Sequence, residues 1–132
     1  MLGIDTNVLI RIVVEDDPAQ CARARRLVDA SVAKGEPVFV SLSVLLEFEW
    51  VLRSRYGIPK PEILDVVSRM LDSVELMFED EPSIEEALFQ WRDSRANFAD
   101  CLIGVRNRRL ACRVTATFDV NAARLPAYET VR

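Results

Sequence analysis

Apolar and polar residues alternate along the chain in short blocks that read as strands followed by helices. Leu2, Gly3 and Ile4 make an apolar run suited to a buried strand, and Asp5, Thr6 and Asn7 interrupt it before Val8, Leu9 and Ile10 begin a short helix. Glu15, Asp16 and Asp17 break the pattern, with Asp17 placed to cap a second helix, Pro18 to open it and Gln20 to return to the cap. Ala24, Leu27, Val28 and Ser31 keep one small or apolar face along that helix, and Gly35 ends it. Residues 37–40 are apolar without alternation, as expected of a strand covered on both faces.

A helix is expected over 43–56, a turn over 57–61, and another helix whose stripe is Ile63, Leu64, Val67, Met70 and Leu71. Its apolar surface is enough to cover a sheet, a second subunit or a partner. A strand is predicted over 74–78, followed by a solvated acidic turn at Glu79, Asp80 and Glu81. Ser83 and Glu86 have capping-box spacing, and Ile84, Ala87, Leu88 and Trp91 give the inward face of the next helix. Asn97 is expected to cap a helix with Asp100 in its first turn, 112–116 to form a buried strand, and the remainder, through Pro126 and Tyr128 to Val131, to add a turn and a final edge strand. Strands and helices in this order predict an α/β fold: a three-layer α/β/α sandwich on a mainly parallel sheet of four or five strands, forming one domain over 1–132.

Four carboxylates are the chemical candidates. Asp5 and Asp119 each follow a predicted strand, at the edge of a parallel sheet where ligands bind, and each also suits a plain cap or turn. Glu47 lies three and four residues from Val44, Phe48 and Val51, so it is expected to share their inward face. Glu49, turned about 200° from Glu47, is expected at the surface with Arg53. Asp100 suits the positive end of its helix, and Gly104, one turn on, leaves space for a close approach. Thr117 can offer a hydroxyl beside Asp119. Right-handed crossovers are expected to gather Asp5, Glu47, Asp100 and Asp119 at one edge. Carboxylates about 5 Å apart repel by roughly 3 kcal/mol per pair at an effective dielectric of 20, a conflict that a divalent cation removes.

Composition narrows the chemistry. The 132 residues include no histidine, which removes the usual general base and the commonest transition-metal ligand. Carboxylates favour hard cations such as magnesium or manganese. Cys21, Cys101 and Cys112 lack metal or redox spacing and are expected to be small buried residues. A net charge of -4 argues against a general nucleic-acid coat, although nearly all the cations are arginine and several cluster, as at Arg53 and Arg55. No apolar run reaches the length of a membrane span, and the start is strand-like rather than a basic segment leading into an apolar one, so a cytoplasmic protein is expected.

Ile4-Asp5-Thr6-Asn7, Leu46-Glu47 followed by Trp50-Val51-Leu52, Phe98-Ala99-Asp100 and Thr117-Phe118-Asp119 resemble, in order and along the whole chain, the motifs of PIN-domain ribonucleases. The resemblance is strongest to the VapC-type toxins of toxin-antitoxin systems. Asn97 stands where that family often has a further aspartate. The resemblance implies a magnesium-dependent endoribonuclease, with manganese able to substitute, whose metal is carried by Asp5, Glu47, Asp100 and Asp119. Asp5 and Asp100 would be the most direct ligands. It implies hydrolysis of RNA phosphodiesters to 5′-phosphate and 3′-hydroxyl ends, a homodimer, and a cognate antitoxin whose tail occludes the acidic pocket. The competing reading is a PIN-like binding or scaffold module that cuts nothing. A phosphotransfer domain with Asp5 as nucleophile is weaker: Asn7 stands where a haloacid-dehalogenase-like phosphatase has its second aspartate, and only Lys34 and Lys60 are available for a receiver domain's lysine.

Overall fold

The computed structural model describes residues 1–132 and divides into two compact units, Met1–Glu79 and Asp80–Arg132. The first unit runs β1 (Leu2–Gly3), α1 (Thr6–Val13), α2 (Pro18–Ala33), β2 (Val38–Val40), α3 (Leu42–Ser54), α4 (Lys60–Asp72) and β3 (Leu76–Phe78). Its strands form a parallel sheet in the order β1-β2-β3, with Leu2 opposite Val38 and Val38 opposite Leu76. Because the strands are parallel, their carboxyl ends share one edge. Asp5, Ser41 and Glu79 follow the three strands there.

The helix ends follow their local chemistry. Asp17 caps α2 by accepting from the Gln20 amide at 3.1 Å, while the Gln20 side chain accepts from Arg11 instead of returning to the cap. Gly35, at a φ of 72°, closes the same helix: its N–H donates to the Val32 carbonyl and the Glu36 N–H to the Ser31 carbonyl. Ser41 caps α3, and Glu79, expected in water, accepts from the Leu42 amide at 3.0 Å. Two carboxylates at the sheet edge, Asp5 and Glu79, thus face helix N-termini, where backbone N–H groups favour negative charge.

In α3 the inward face is Leu45, Phe48, Glu49 and Leu52. This reverses the expected roles of two glutamates: Glu47 is exposed and Glu49 is 2% exposed. Glu49 keeps the expected partner, accepting from Arg53 Nε at 2.8 Å. Arg53→Ala leaves a buried carboxylate without a counter-charge, and because Arg53 itself is partly in water the expected loss is about 1–3 kcal/mol. Urea unfolding measures it, with Glu49→Gln expected to cost less. In α4, Ile63, Val67 and Met70 are buried.

The second unit contains α5 (Glu81–Arg92), α6 (Phe98–Arg109), β4 (Thr115–Thr117), a 3-10 turn at Ala122–Arg124 and β5 (Tyr128–Thr130). Strands β4 and β5 pair in parallel, Thr115 opposite Tyr128. The five parallel strands therefore occur as sheets of three and two. Strand composition foretold their parallel sense, but runs of two or three residues did not specify which edges exchange hydrogen bonds. Helices α5 and α6 pack through Ile84, Leu88, Trp91, Phe98 and Leu102, with the Trp91 and Phe98 rings 5.3 Å apart.

Helix α5 begins earlier than the Ser83 capping box suggested. Asp80, at a φ of 56°, is its cap: it accepts from the Ser83 amide and hydroxyl and from Arg106 Nη1 at 2.6 Å. These contacts, the Ser83 hydroxyl foremost, hold the Asp80 carboxyl below the usual carboxylate range despite its partial burial. A lowered folded pKa stabilises the protein above the unfolded value of about 3.9, and that contribution disappears as pH falls through the folded value. Asp80→Asn is thus expected to lower the unfolding free energy at pH 7 and to make little difference near pH 2, as urea titrations at the two pH values will show.

Strand β4 starts three residues later than expected and is only partly buried. Ala111 and Cys112 are spent closing α6, their N–H groups donating to the Arg108 and Asn107 carbonyls, with Ala111 at a φ of 71°. Cys112 is consequently exposed and Cys21 half-buried; of the three cysteines expected inside, Cys101 alone is fully buried. No helix is long and apolar enough to cross a membrane.

Candidate active site

Each unit contributes two of the four candidate carboxylates. Asp5 follows β1, which the Ile4 amide extends by donating to the Phe39 carbonyl. One Asp5 oxygen, Oδ1, accepts from the Val8 amide at 3.1 Å and caps α1, leaving the other oxygen open. Capping and ligand binding are compatible, because an ionised carboxylate has more acceptor sites than one amide uses. Glu47, on the opposite side of α3 from that unit's core, lines a pocket of about 500 Å³ together with Thr6, Asn7 and Ile10 of α1.

Asp100 and Asp119 come together in the second unit. Asp100 is the third residue of α6, in the first turn after the cap Asn97. Burial pushes its carboxyl above the usual range, the nearby Asp119 charge pushes in the same direction, and a hydrogen bond from the Asn97 backbone opposes both. Asp119 ends a turn in which its amide donates to Thr117 Oγ1 at 3.0 Å, the hydroxyl the sequence singled out. Its Oδ1 accepts from the Ala122 amide at 2.7 Å. The expected turn role of Asp119 is therefore present, and it fixes the side chain in place.

Tyr128 is a residue that sequence reasoning did not select. Its hydroxyl donates to the Asp100 carbonyl at 2.8 Å and is pushed up to about 12 by burial, then by the Asp100 and Cys101 charges. Gly104 explains how the ring reaches that position: a Cβ at 104 would lie 2.6 Å from Tyr128 Cε2. The glycine was the sequence signal, and what approaches it is the chain's own tyrosine.

None of the four carboxylates is paired with a cation, whereas Arg11, Arg25, Arg53, Arg69, Arg106 and Arg108 all pair with other carboxylates. Their donor chemistry, oxygen alone with two like charges repelling within one unit, fits a hard divalent cation. Nowhere in the chain do three acidic or cysteine side chains group closely enough to hold an ion.

A PIN-domain profile matches residues 3–128. The chain is also 24% identical over 115 residues to the VapC ribonuclease of Aquifex aeolicus (strain VF5), covering 87% of this chain and 84% of that protein. With the profile spanning nearly the whole sequence, and helices alternating with parallel strands as the fold requires, this chain belongs to the PIN-domain family.

Proposed function

We propose that this protein is a metal-dependent endoribonuclease acting as the toxin of a toxin-antitoxin pair, with Asp5, Glu47, Asp100 and Asp119 as its metal-holding and catalytic residues. The observation that carries this reading is the set of four carboxylates at motif positions, none neutralised by a cation of the chain. For Asp100, burial and the neighbouring Asp119 charge penalise the ionised form, a penalty that a bound cation would offset. Asp5 and Asp100 would be the most direct ligands, with Glu47 and Asp119 as the supporting carboxylates. When bound, magnesium or manganese supplies Lewis-acid chemistry, polarising the phosphoryl oxygen and making water nucleophilic at neutral pH.

The side chains have separate tasks in this scheme. The Val8 amide orients Asp5, the start of α6 holds Asp100, and the Thr117 to Ala122 turn holds Asp119, so little reorganisation is needed when substrate arrives. Glu47, exposed on its pocket wall, is accessible to substrate as a catalytic carboxylate must be. With no histidine, attack by the RNA's own 2′-hydroxyl under imidazole catalysis has no agent, and hydrolysis leaves a 5′-phosphate and a 3′-hydroxyl.

The same reading makes the protein a cytoplasmic homodimer of single PIN domains spanning 1–132, inhibited by a cognate antitoxin. The name of the Aquifex relative supports the ribonuclease part. Exposed Phe89 on α5 and Ile103 on α6 support a partner-binding surface. The purified chain should cut cellular RNA with magnesium and leave 5′-phosphate ends, and Asp5→Asn should abolish cutting. Equal cutting by the variant would reject the assignment.

A further inference from the structure

The pocket beside Glu47 contains more than a catalytic carboxylate requires. Its walls come from one face of α1, with Thr6 and Asn7 one turn from Ile10 and Arg11, and from Glu47, Trp50 and Val51 of α3, with Arg55 and Tyr56 just beyond that helix. The volume of about 500 Å³ is that of a small-ligand site. Trp50 is 49% exposed, whereas the chain's other tryptophan, Trp91, is 3% exposed and packed on Phe98. Arg11 is immobilised by Asp16, Gln20 and Tyr56, but the Arg55 guanidinium has no partner.

Resting on the ribonuclease reading, we infer that this pocket is a substrate subsite for one nucleotide of single-stranded RNA, the base stacking on Trp50 and a phosphate pairing with Arg55. A half-exposed indole lining the same pocket as an unpaired guanidinium is the combination by which proteins hold single strands without reading their sequence. Thr6 and Asn7 lie at the end of α1 that Asp5 caps, and Glu47 shares the Trp50 wall, so a strand seated here presents its backbone to catalytic carboxylates. From Asn7 to Arg11 the helix rises about 6 Å, the length scale of one nucleotide. The lining mixes Thr6, Asn7, Arg11, Glu47 and Arg55 with Ile10, Trp50 and Val51, which suits a nucleotide better than an amphipathic protein helix, which needs a continuous apolar groove.

The test uses the full chain and a mixed-sequence single-stranded RNA dodecamer, with calcium as the divalent ion. Stacking on Trp50 quenches indole fluorescence, and buried Trp91 contributes little to the change. Trp50→Ala is expected to weaken RNA binding on the order of tenfold and Trp50→Phe to recover most of it. Arg55→Ala is expected to weaken binding and to reduce the slope of log K against log salt by about 0.7, as loss of one phosphate contact to a single strand requires. Absence of quenching, or unchanged affinity in Trp50→Ala and Arg55→Ala, overturns the subsite. Quenching by a protein partner and not by RNA overturns it too and assigns the pocket to protein docking. If RNA cleavage remains Asp5-dependent while these binding results fail, the subsite alone is wrong. If no RNA is cut at all, the ribonuclease reading is what fails.

Discussion

Asp100→Asn is expected to abolish RNA cleavage while leaving the metal-free protein at least as stable as the wild type. The two effects have the same origin. Burial and the Asp119 charge both penalise the ionised Asp100 carboxyl, so its folded pKa lies above the unfolded one. For an acid this sign means that folding stability falls as pH rises through the interval from the unfolded to the folded pKa, and the penalty is fully present once pH exceeds the folded value. The neutral amide removes it. On the proposed reading the amide also removes one of the most direct ligands, and cleavage is expected to fall by at least about a hundredfold. Thermal unfolding in EDTA alongside an RNA-cleavage assay measures both. A lower melting temperature for the variant would show that the hydrogen bond from the Asn97 backbone, which favours the charge, outweighs burial and repulsion.

Gly104→Ala is expected to be among the most damaging single-methyl changes in the second unit. The added carbon would lie 2.6 and 3.2 Å from two Tyr128 ring atoms and 3.4 Å from Ala127 Cβ. The ring must then move, and its hydroxyl loses the Asp100 carbonyl. Overpacking of this kind costs about 1–3 kcal/mol, and the displaced start of α6 should lower cleavage severalfold. Tyr128→Phe keeps the ring and loses the single hydrogen bond, so it is expected to cost about 1 kcal/mol. In a Tyr128→Ala background the ring clash is gone and only the contact with Ala127 Cβ at 3.4 Å remains, so the cost of Gly104→Ala should largely vanish. Equal cost in both backgrounds would mean that the clash is not with the tyrosine.

These two residues also show where the sequence was readable. Apolar rhythm and capping chemistry identified the helices well: Asp17 and Gly35 bound α2 because a cap oxygen and a left-handed glycine act locally. The inner face of α3 was not readable, because residues 44–52 are apolar except for two glutamates and offer two equally good helical stripes. Tertiary packing chose the stripe containing Leu45 and Leu52, and Glu49 lies between them at three- and four-residue spacing. The acidic stretch Glu79 to Glu81 looked like solvent-facing charge since its acceptors lie far along the chain: Leu42 for Glu79 and Arg106 for Asp80. The contact of Tyr128 with α6 was invisible for the same reason, although Gly104 left space for a close approach.

Manganese binding by the full chain, followed by electron paramagnetic resonance, tests the role of the four carboxylates most directly. Ion binding of fixed stoichiometry is predicted for the wild type, and its loss in Asp5→Asn and equally in Asp100→Asn. Retention of the wild-type manganese signal in both variants would contradict the account.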